Sequence, residues 1–371
     1  MEKKLMNCTR CEICGTASMI YTNPFVEYSI LYRLLAAPLA SMGVSLLCAA
    51  VLKSPGIHTN SKILLVAMSI AAIVCNIGIL GDALYKFLIS NVLPDIMQCD
   101  YQVFYPQYFI AIRNVQEVGC SGFAVSGIIL AIERTIATVF YRNYGKTSEL
   151  PILGLVLVII QLLCCIIPVI HIKVPKQMYP YSPPEIQNYS VSHYFSMFLT
   201  LTTLLAVLMF AILWIVNRYR AKLIGTSHLQ IVLARYELAD NISTTRLMAP
   251  VIVIISLMVF SSEFIYALFM PQYDSSTVVN HDVLNELVDY APIAEYQLSL
   301  ISTLSIILVI MMPACCEKLK ESFLCVSHLS ICFRKPPTDS RSSSESSDVY
   351  FAKYWNKKRS EDSQTPDINY Y

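Results

Sequence analysis

Seven long apolar stretches, each interrupted by few charges, are spaced along the chain. A helix needs about 20 mostly apolar residues to cross the hydrocarbon core of a bilayer, and its backbone groups must be satisfied within the segment. The period-two alternation of an outer-membrane barrel is absent from the sequence. The pattern predicts an all-α membrane protein, a bundle of seven transmembrane helices. The predicted spans are 28–52, 63–85, 106–132, 151–172, 194–216, 247–270 and 291–313.

Composition supports this fold class and excludes others. The 371 residues are 55% hydrophobic and only 14% charged, with a mean hydropathy of +0.54, whereas soluble domains carry about 25% charged residues. The net charge of +1 is too small to attract nucleic acid through the overall electrostatic field of the protein. We therefore expect the lipid bilayer, and no nucleic acid, among the partners of this chain. Intrinsic disorder and a secreted disulfide scaffold are also excluded as whole-chain descriptions.

The distribution of Lys and Arg predicts the orientation of the bundle. With the amino terminus outside, 19 of the 27 basic residues fall in cytoplasmic segments and six fall outside, as the positive-inside rule requires. The first 27 residues lack the apolar core of a cleavable signal peptide, so the first span is expected to act as a signal anchor. We predict a multi-pass plasma-membrane protein with its amino terminus extracellular.

Four segments follow from these boundaries. Residues 1–27 form an extracellular amino segment, and residues 28–313 form the transmembrane domain. Residues 314–335 place apolar and basic side chains on different sides of a short helix, which predicts an amphipathic juxtamembrane segment. Residues 336–371 are rich in Ser, Asp and Lys, which predicts a disordered cytoplasmic tail.

Covalent modification is predicted at several positions on the two sides. An even set of cysteines falls outside, where disulfides form, and we favour one bridge from the amino segment to Cys99 over free thiols. The outside set is Cys8, Cys11, Cys14 and Cys99. Its first three members have metal-like spacing but no clear fourth ligand, so no metal site is predicted. Glycosylation sequons begin at Asn7 and Asn188, and S-palmitoylation is plausible at Cys315 and Cys316 after the last span.

Five ionisable residues lie within or beside the predicted spans near their outer ends, where buried charge marks function. They are Asp82, Arg113, Glu117, Glu263 and Glu295. Polar groups near the midplane are neutral. This distribution predicts a wet outer cavity that binds an external small molecule, whereas a transporter or ligand-gated channel needs polar groups along the whole path. The alternative is that Arg113 pairs with Glu117 or another acid only to hold helices together.

An adjacent acid and base, Glu133 and Arg134, end the third predicted span at its cytoplasmic face. In one state such a pair can bond to a neighbouring helix, and in a second state the Arg is released. A ligand that binds the second state more tightly would shift the equilibrium toward it, which makes the pair a two-state switch. Further inside, Arg235 and Asn241 precede the sixth span and are candidates for contact with a cytoplasmic partner. Positive-inside topology alone would also explain most of this basic surface.

Four short segments in chain order resemble the nematode serpentine chemoreceptors of the Sra superfamily. Residues 57–62 (IHTNSK) resemble their FHxNxK element, and residues 133–138 (ERTIAT) with Tyr144 resemble ERxxAT…YE. Residues 233–241 (LARYELADN) resemble LxxRYQxxEN, and residues 350–355 (YFAKYW) resemble the YF…W tail. The alpha/beta (Srab-like) class is nearest and the epsilon (Sre-like) class is the near alternative. The NPxxY element of rhodopsin-type receptors is absent from the last span.

The resemblance implies a GPCR-like bundle in sensory-neuron membranes that senses environmental chemicals and signals to a heterotrimeric G protein. It also implies that Glu133, Arg134, Arg235 and Asn241 serve coupling. We expect no enzyme activity and no cofactor, since the sequence contains no P-loop, GxSxG or HExxH motif. A transporter or ligand-gated channel is the rival class, and a scaffold that only traffics partner receptors is a third.

Overall fold

The computed structural model describes residues 10–54, 57–93, 99, 101, 106–140, 151–171, 181, 189–226, 232–271 and 280–327. Within these residues, side chains are not described at 10, 106–109, 167–171, 189–192, 221–226, 232–241 and 317–318. The chain divides into two units, Met1–Val326 and Ser327–Tyr371. The second unit lies outside the described residues except for Ser327, so the predicted tail is not examined by the structure.

Nine helices and no strand make up the part of the chain that the structure describes. They are α1 (Arg10–Tyr21), α2 (Pro24–Lys53), α3 (Thr59–Val92), α4 (Pro106–Val139), α5 (Ile152–His171), α6 (Tyr189–Thr226), α7 (Val232–Phe269), α8 (His281–Cys315) and α9 (Glu317–Val326). Six of these are long and apolar enough to span a membrane, and α5 adds a shorter apolar helix of 20 residues. Helices α2 to α8 correspond to the seven predicted spans, which confirms the all-α membrane fold.

The helices are longer than the apolar stretches that predicted them. Capping residues set the starts of α2 and α8. Asn23 accepts a hydrogen bond from the Phe25 amide at the start of α2, and Asn280 accepts one from the Val283 amide at the start of α8. A side-chain oxygen at this position satisfies an amide that has no partner within the helix. The polar turns beyond each apolar stretch therefore remain helical.

Helices α3 and α4 approach each other at backbone distance. A Cβ built on Gly119 would lie 2.2 Å from the Cys75 backbone nitrogen, and one built on Gly78 would lie 2.5 Å from the Gln116 nitrogen. Small residues allow membrane helices to approach at backbone distance. Around this contact, α2, α5, α6, α7 and α8 complete the bundle, with α4 against α5, α6 and α7, and α2 between α3 and α8.

The two faces of the outer helices differ as a lipid environment requires. The buried faces contribute to one apolar core that includes Leu47, Leu65, Leu130, Met248 and Leu308. The opposite faces of α5 and α6 expose large apolar side chains. These include Leu155, Ile159, Leu163, Leu201, Leu208 and Ile215. In water such a surface would promote association, whereas in a bilayer it faces acyl chains.

Helix α1 packs against the start of α2 and against α8, and α9 packs against α2 and α8 at the opposite end of the bundle. These two short helices distinguish the ends, which we call the α1 end and the α9 end. Leu319 of α9 is fully buried and Phe323 packs against the apolar core. One side of the juxtamembrane helix therefore faces the bundle, in keeping with its amphipathic sequence.

Candidate functional site

Four charged side chains meet at the α1 end of the bundle, and we call them the α1-end cluster. Arg33 Nη1 donates to Asp82 Oδ2 at 2.6 Å, and Arg33 Nη2 donates to Glu295 Oε2. Lys86 Nζ donates to the same two carboxylates, at 3.0 Å to Asp82 Oδ2 and 2.5 Å to Glu295 Oε1. Lys86 exposes 3% of its side chain and the other three expose none. Each cation thus bridges both anions.

Three helices position the α1-end cluster. Arg33 comes from α2, Asp82 and Lys86 lie one turn apart on α3, and Glu295 comes from α8. Ser29, one turn before Arg33, donates its hydroxyl to the Glu295 backbone carbonyl at 2.8 Å and lies 2.7 Å from the Ser299 hydroxyl. The charges are therefore fixed by a second set of bonds between α2 and α8.

Tyr181 brings an aromatic ring and a donor to the cluster from the segment between α5 and α6. Its hydroxyl donates to Glu295 Oε1 at 2.9 Å. Its ring centroid lies 5.6 Å from Lys86 Nζ, within cation–π range, and its ring stands edge-on to Tyr290. Burial, followed by the Glu295 carboxylate, raises the pKa of the Tyr181 phenol well above its ordinary value. The phenol therefore stays protonated and keeps donating.

The end of α1 lies beside the same cluster. Ile20 packs in an apolar group with Tyr181, Met270 and Leu287. Burial, with the nearby carboxylates of the cluster, raises the pKa of the neighbouring Tyr21 well above its ordinary value. The sequence predicted a wet cavity around Asp82 and Glu295, but both carboxylates lack exposed surface. Ile20 and Tyr181 cover this end of the bundle, and Arg33 and Lys86 neutralise the two carboxylates. The two carboxylates are therefore buried and do not line a water-filled cavity.

A disulfide ties α1 to the segment that follows α3. Cys14 is bonded to Cys99, with a Cα–Cα separation of 5.4 Å. Ile13 and Ala17 pack against Cys99 on the same face of α1. Cys11 is exposed and is not disulfide-bonded, and Cys8 lies outside the described residues. In the described residues no group of three or more His, Cys, Asp or Glu is arranged to hold a metal.

Three predicted site residues lie elsewhere at this end of the bundle. Arg113 is buried on α4 and donates to Gln116 Oε1 at 2.8 Å. Its charge acts on Tyr181, so it lies near the α1-end cluster. Glu117 follows on α4 and is half-buried. Glu263 of α7 accepts a hydrogen bond from the Ser196 hydroxyl of α6. The structure therefore brings Asp82 and Glu295 together and places Glu263 at a contact between α6 and α7.

Sequence reasoning missed Arg33, Lys86 and Tyr181 as members of the site. Arg33 falls inside the first predicted span, but its partners lie on α3 and α8, so no local pattern joined it to the five predicted residues. Lys86 was placed in an outer connection, because the apolar stretch ends at 85 although α3 continues to Val92. The spacing of Asp82 and Lys86, four residues apart, was a signal for a shared helical face.

A second buried cluster lies at the α9 end, and we call it the α9-end cluster. Arg134 donates to the carboxylate of Glu133, its neighbour on α4. Arg134 Nη2 also donates to Ser61 Oγ of α3 at 2.6 Å, and Ser61 donates to Glu133 Oε1 at 3.1 Å. All three side chains are buried. The acid–base pair is thus bonded to the neighbouring helix through one hydroxyl.

Contacts around the α9-end cluster join two further helices to it. Asn60 Oδ1 of α3 accepts from the Gly154 amide of α5 at 3.2 Å. Arg220 Nη1 of α6 donates to the Thr138 carbonyl of α4 at 2.6 Å. Arg235 and Asn241 fall within α7, but their side chains lie outside the described residues. Their proposed role therefore stays a prediction.

Neutral polar side chains occupy the depth between the two clusters. Asn76 of α3 donates to Ser305 Oγ at 3.2 Å and accepts from Ser302 Oγ at 2.9 Å. On the other side of α4, Gln161 of α5 donates to Ser126 Oγ at 2.8 Å. All of these residues are buried. Charge is therefore concentrated at the two ends of the described bundle.

The predicted modification sites receive little further information. Asn7 and Asn188 lie outside the described residues. Cys315 ends α8 and Cys316 separates it from α9, and both side chains are half-buried. Cys316 also packs against the apolar core. Glycosylation and palmitoylation remain predictions.

Comparison with known proteins identifies the family. Residues 11–320 match the model of the serpentine type 7TM GPCR receptor class ab chemoreceptor family. The matched range begins in α1 and ends in α9, so it includes all seven spanning helices, both buried clusters and the Cys14–Cys99 bridge. No curated protein matches the chain. The chain belongs to the class ab serpentine chemoreceptors, a family of seven-transmembrane receptors of the GPCR type.

Proposed function

We propose that this chain is a plasma-membrane chemosensory receptor that binds an external small molecule at its α1 end and signals to a heterotrimeric G protein at its α9 end. The observation that carries the proposal is the α9-end cluster. Arg134 has almost no exposed surface and is held by Glu133 and Ser61. A basic side chain sequestered at the end of a bundle is a group that a conformational change releases.

The proposed orientation places the α1 end outside, in a sensory-neuron membrane. The Cys14–Cys99 bridge supports this, because disulfides persist in oxidising compartments and are rare in the cytosol. The bias of Lys and Arg toward the opposite end supports it independently. The serpentine chemoreceptor family supports the sensing role, and binding and coupling by this chain are our inference from that membership.

Nucleotide exchange on a purified G protein tests the proposal. The chain is reconstituted in nanodiscs with a heterotrimer, and ligand-independent exchange is compared for wild type and variants. Glu133→Gln and Ser61→Ala weaken the hold on Arg134. A hydrogen bond to a charged group contributes about 1.5 kcal/mol or more, so we expect Glu133→Gln to raise basal exchange about tenfold. Arg134→Gln is expected to abolish it.

Thr135→Val is the matched control, because the Thr135 hydroxyl donates within its own helix, to the Ala131 carbonyl. It should leave basal exchange at the wild-type level. Equal exchange in all four variants, with normal folding, contradicts the switch. Ion or solute flux into vesicles that contain the purified chain and no G protein, without flux into protein-free vesicles, would place the chain among transporters or channels.

A further inference from the structure

The Lys86 ammonium occupies a site whose chemistry is that of an amine receptor. It donates to Asp82 Oδ2 at 3.0 Å and to Glu295 Oε1 at 2.5 Å. The Tyr181 ring lies 5.6 Å from the same nitrogen. Two carboxylate acceptors and one aromatic face surround a single primary ammonium, and each of these interactions favours a small cation with N–H donors.

Further acceptor capacity remains at this site. Asp82 Oδ1 is buried and accepts no hydrogen bond within the described residues. A buried acceptor without a partner is costly, and an ammonium has three donors to place. The site therefore offers an ammonium more acceptors than Lys86 uses on Asp82. Arg33 neutralises one negative charge of the pair, so one positive charge balances what is left.

Among the four members of the α1-end cluster, Lys86 lies nearest to an end of its helix. Its side chain is the only one of the four with exposed surface, and α3 ends at Val92, about 9 Å further along the helix. A lysine near a helix end extends its flexible stem toward water at small cost. Arg33, in contrast, has no exposed surface. It lies one turn after Ser29, whose hydroxyl bonds α2 to α8.

We propose that the external ligand of this chain is a primary amine that displaces the Lys86 ammonium from Asp82, Glu295 and Tyr181. The inference rests on the proposed receptor function and names its ligand class. Lys86 acts as a tethered occupant, and the incoming ammonium takes over its two carboxylate bonds and its aromatic contact. Displacement separates α3 from the Glu295 of α8 at this point, since Lys86 bridges the two helices.

Amine binding to the purified chain tests the inference without any G protein. The probe is n-butylammonium, titrated into protein in nanodiscs and followed by calorimetry, with sodium butyrate as the matched anion. We expect saturable binding of n-butylammonium to wild type and none of butyrate. Because Lys86 fills the site, the competent fraction is small and the apparent affinity is reduced by that fraction. Lys86→Met should therefore bind n-butylammonium at least about tenfold more tightly.

Two further variants keep the test decisive. Lys86→Arg retains the charge and both carboxylate partners, so it preserves folding, and its guanidinium competes more strongly because it binds carboxylates bidentately. It should bind n-butylammonium severalfold more weakly than wild type. Lys53→Met, at the exposed end of α2, is the control and should bind as wild type does.

The inference is overturned if n-butylammonium binds neither wild type nor Lys86→Met, or binds both with the same affinity, because the cluster is then only a structural ion network. It is also overturned if butyrate binds equally well, or if Lys86→Arg and wild type have the same affinity. If the chain promotes nucleotide exchange but does not bind the amine, the ligand class is refuted and the receptor function stands. If the chain binds the amine but does not promote exchange, the receptor function is refuted and the amine site stands.

Discussion

At the residue scale, Arg33 depends on partners from two other helices. It bridges Asp82 of α3 and Glu295 of α8 while having no exposed surface. Desolvation makes such a cluster costly to assemble, and removing one member leaves an uncompensated buried charge. The stability of the α1 end therefore depends on charge balance within the cluster more than on any single bond.

Replacing Arg33 by Met tests this balance. Arg33→Met leaves two carboxylates facing one ammonium, and we expect a loss of about 3–5 kcal/mol, the cost of breaking a buried pair. Arg33→Met combined with Asp82→Asn restores neutrality and should recover at least half of the loss. Thermal unfolding in detergent measures the double variant and each of the two single variants, Arg33→Met and Asp82→Asn. A double variant that is as unstable as the sum of the two single variants would contradict the charge-balance argument.

Sequence reasoning found half of the α1-end cluster for a physical reason. Asp82 and Glu295 were found because a carboxylate in an apolar stretch is costly and visible by itself. Their pairing with Arg33 and Lys86 depends on how α2, α3 and α8 pack, and no local pattern encodes contacts between positions so distant in the chain. Tyr181 was missed because a tyrosine outside the spans carries no comparable signal.

At the element scale, the α3–α4 crossing depends on the absence of side chains. Gly119 and Gly78 allow each backbone to approach the other helix closely enough that a Cβ would overlap backbone atoms. Backbone atoms have no rotamer with which to move aside, so a substitution must separate the helices. Asn76 lies within this crossing, between Cys75 and Gly78 on α3, and Ser61 lies nearer the α9 end. The contacts of both side chains depend on the geometry of the crossing.

A paired glycine substitution checks this dependence. Gly119→Val is expected to prevent folding or to reduce the folded yield by at least an order of magnitude, because the helices must move apart. Gly15→Ala in α1 is the control, since nothing lies within 4 Å of its built Cβ; it should be neutral or stabilise by up to about 1 kcal/mol through helix propensity. Size-exclusion chromatography reports the folded fraction. Monodisperse Gly119→Val protein at wild-type yield would refute the close crossing.

Hydropathy located the helices α2 to α8 but did not give the ends of these helices. The apolar stretches reflect only the part of each helix that contacts hydrocarbon, whereas Asn23 and Asn280 start α2 and α8 several residues earlier. Lys86 lies in a comparable extension at the end of α3, beyond the predicted span 63–85. The same limitation hid α1, whose sequence is too polar and too short to be read as a span.

At the scale of the whole molecule, the two ends of the bundle have different chemistry. In the described residues, the α1 end carries a disulfide and a cluster with two cations and two anions, and the α9 end carries the Glu133–Arg134 pair and the amphipathic α9. An odd number of spans separates these ends along the chain. The α1 and α9 helices should therefore lie on opposite sides of the membrane.

Two exposed, unbridged cysteines report this orientation directly. A membrane-impermeant maleimide should modify Cys11 of α1 on intact cells and Cys325 of α9 only after permeabilisation. Mass spectrometry of the peptides separates the two sites from other cysteines. Cys11→Ser and Cys325→Ser serve as controls that remove each signal. Modification of Cys325 on intact cells, or of both sites only after permeabilisation, is incompatible with the proposed topology.

The bond between Cys14 and Cys99 spans 85 residues of sequence that include α2 and α3. Under the proposed topology, it closes during biosynthesis only after two complete helices have been inserted and the second sulfur has reached the lumen of the secretory pathway. Helix α1 is therefore not yet covalently attached while α2 and α3 are being inserted. Production in a host whose membrane proteins mature without an oxidising lumen will yield chains with a loose amino terminus, and oxidative folding becomes a step that recombinant expression has to supply.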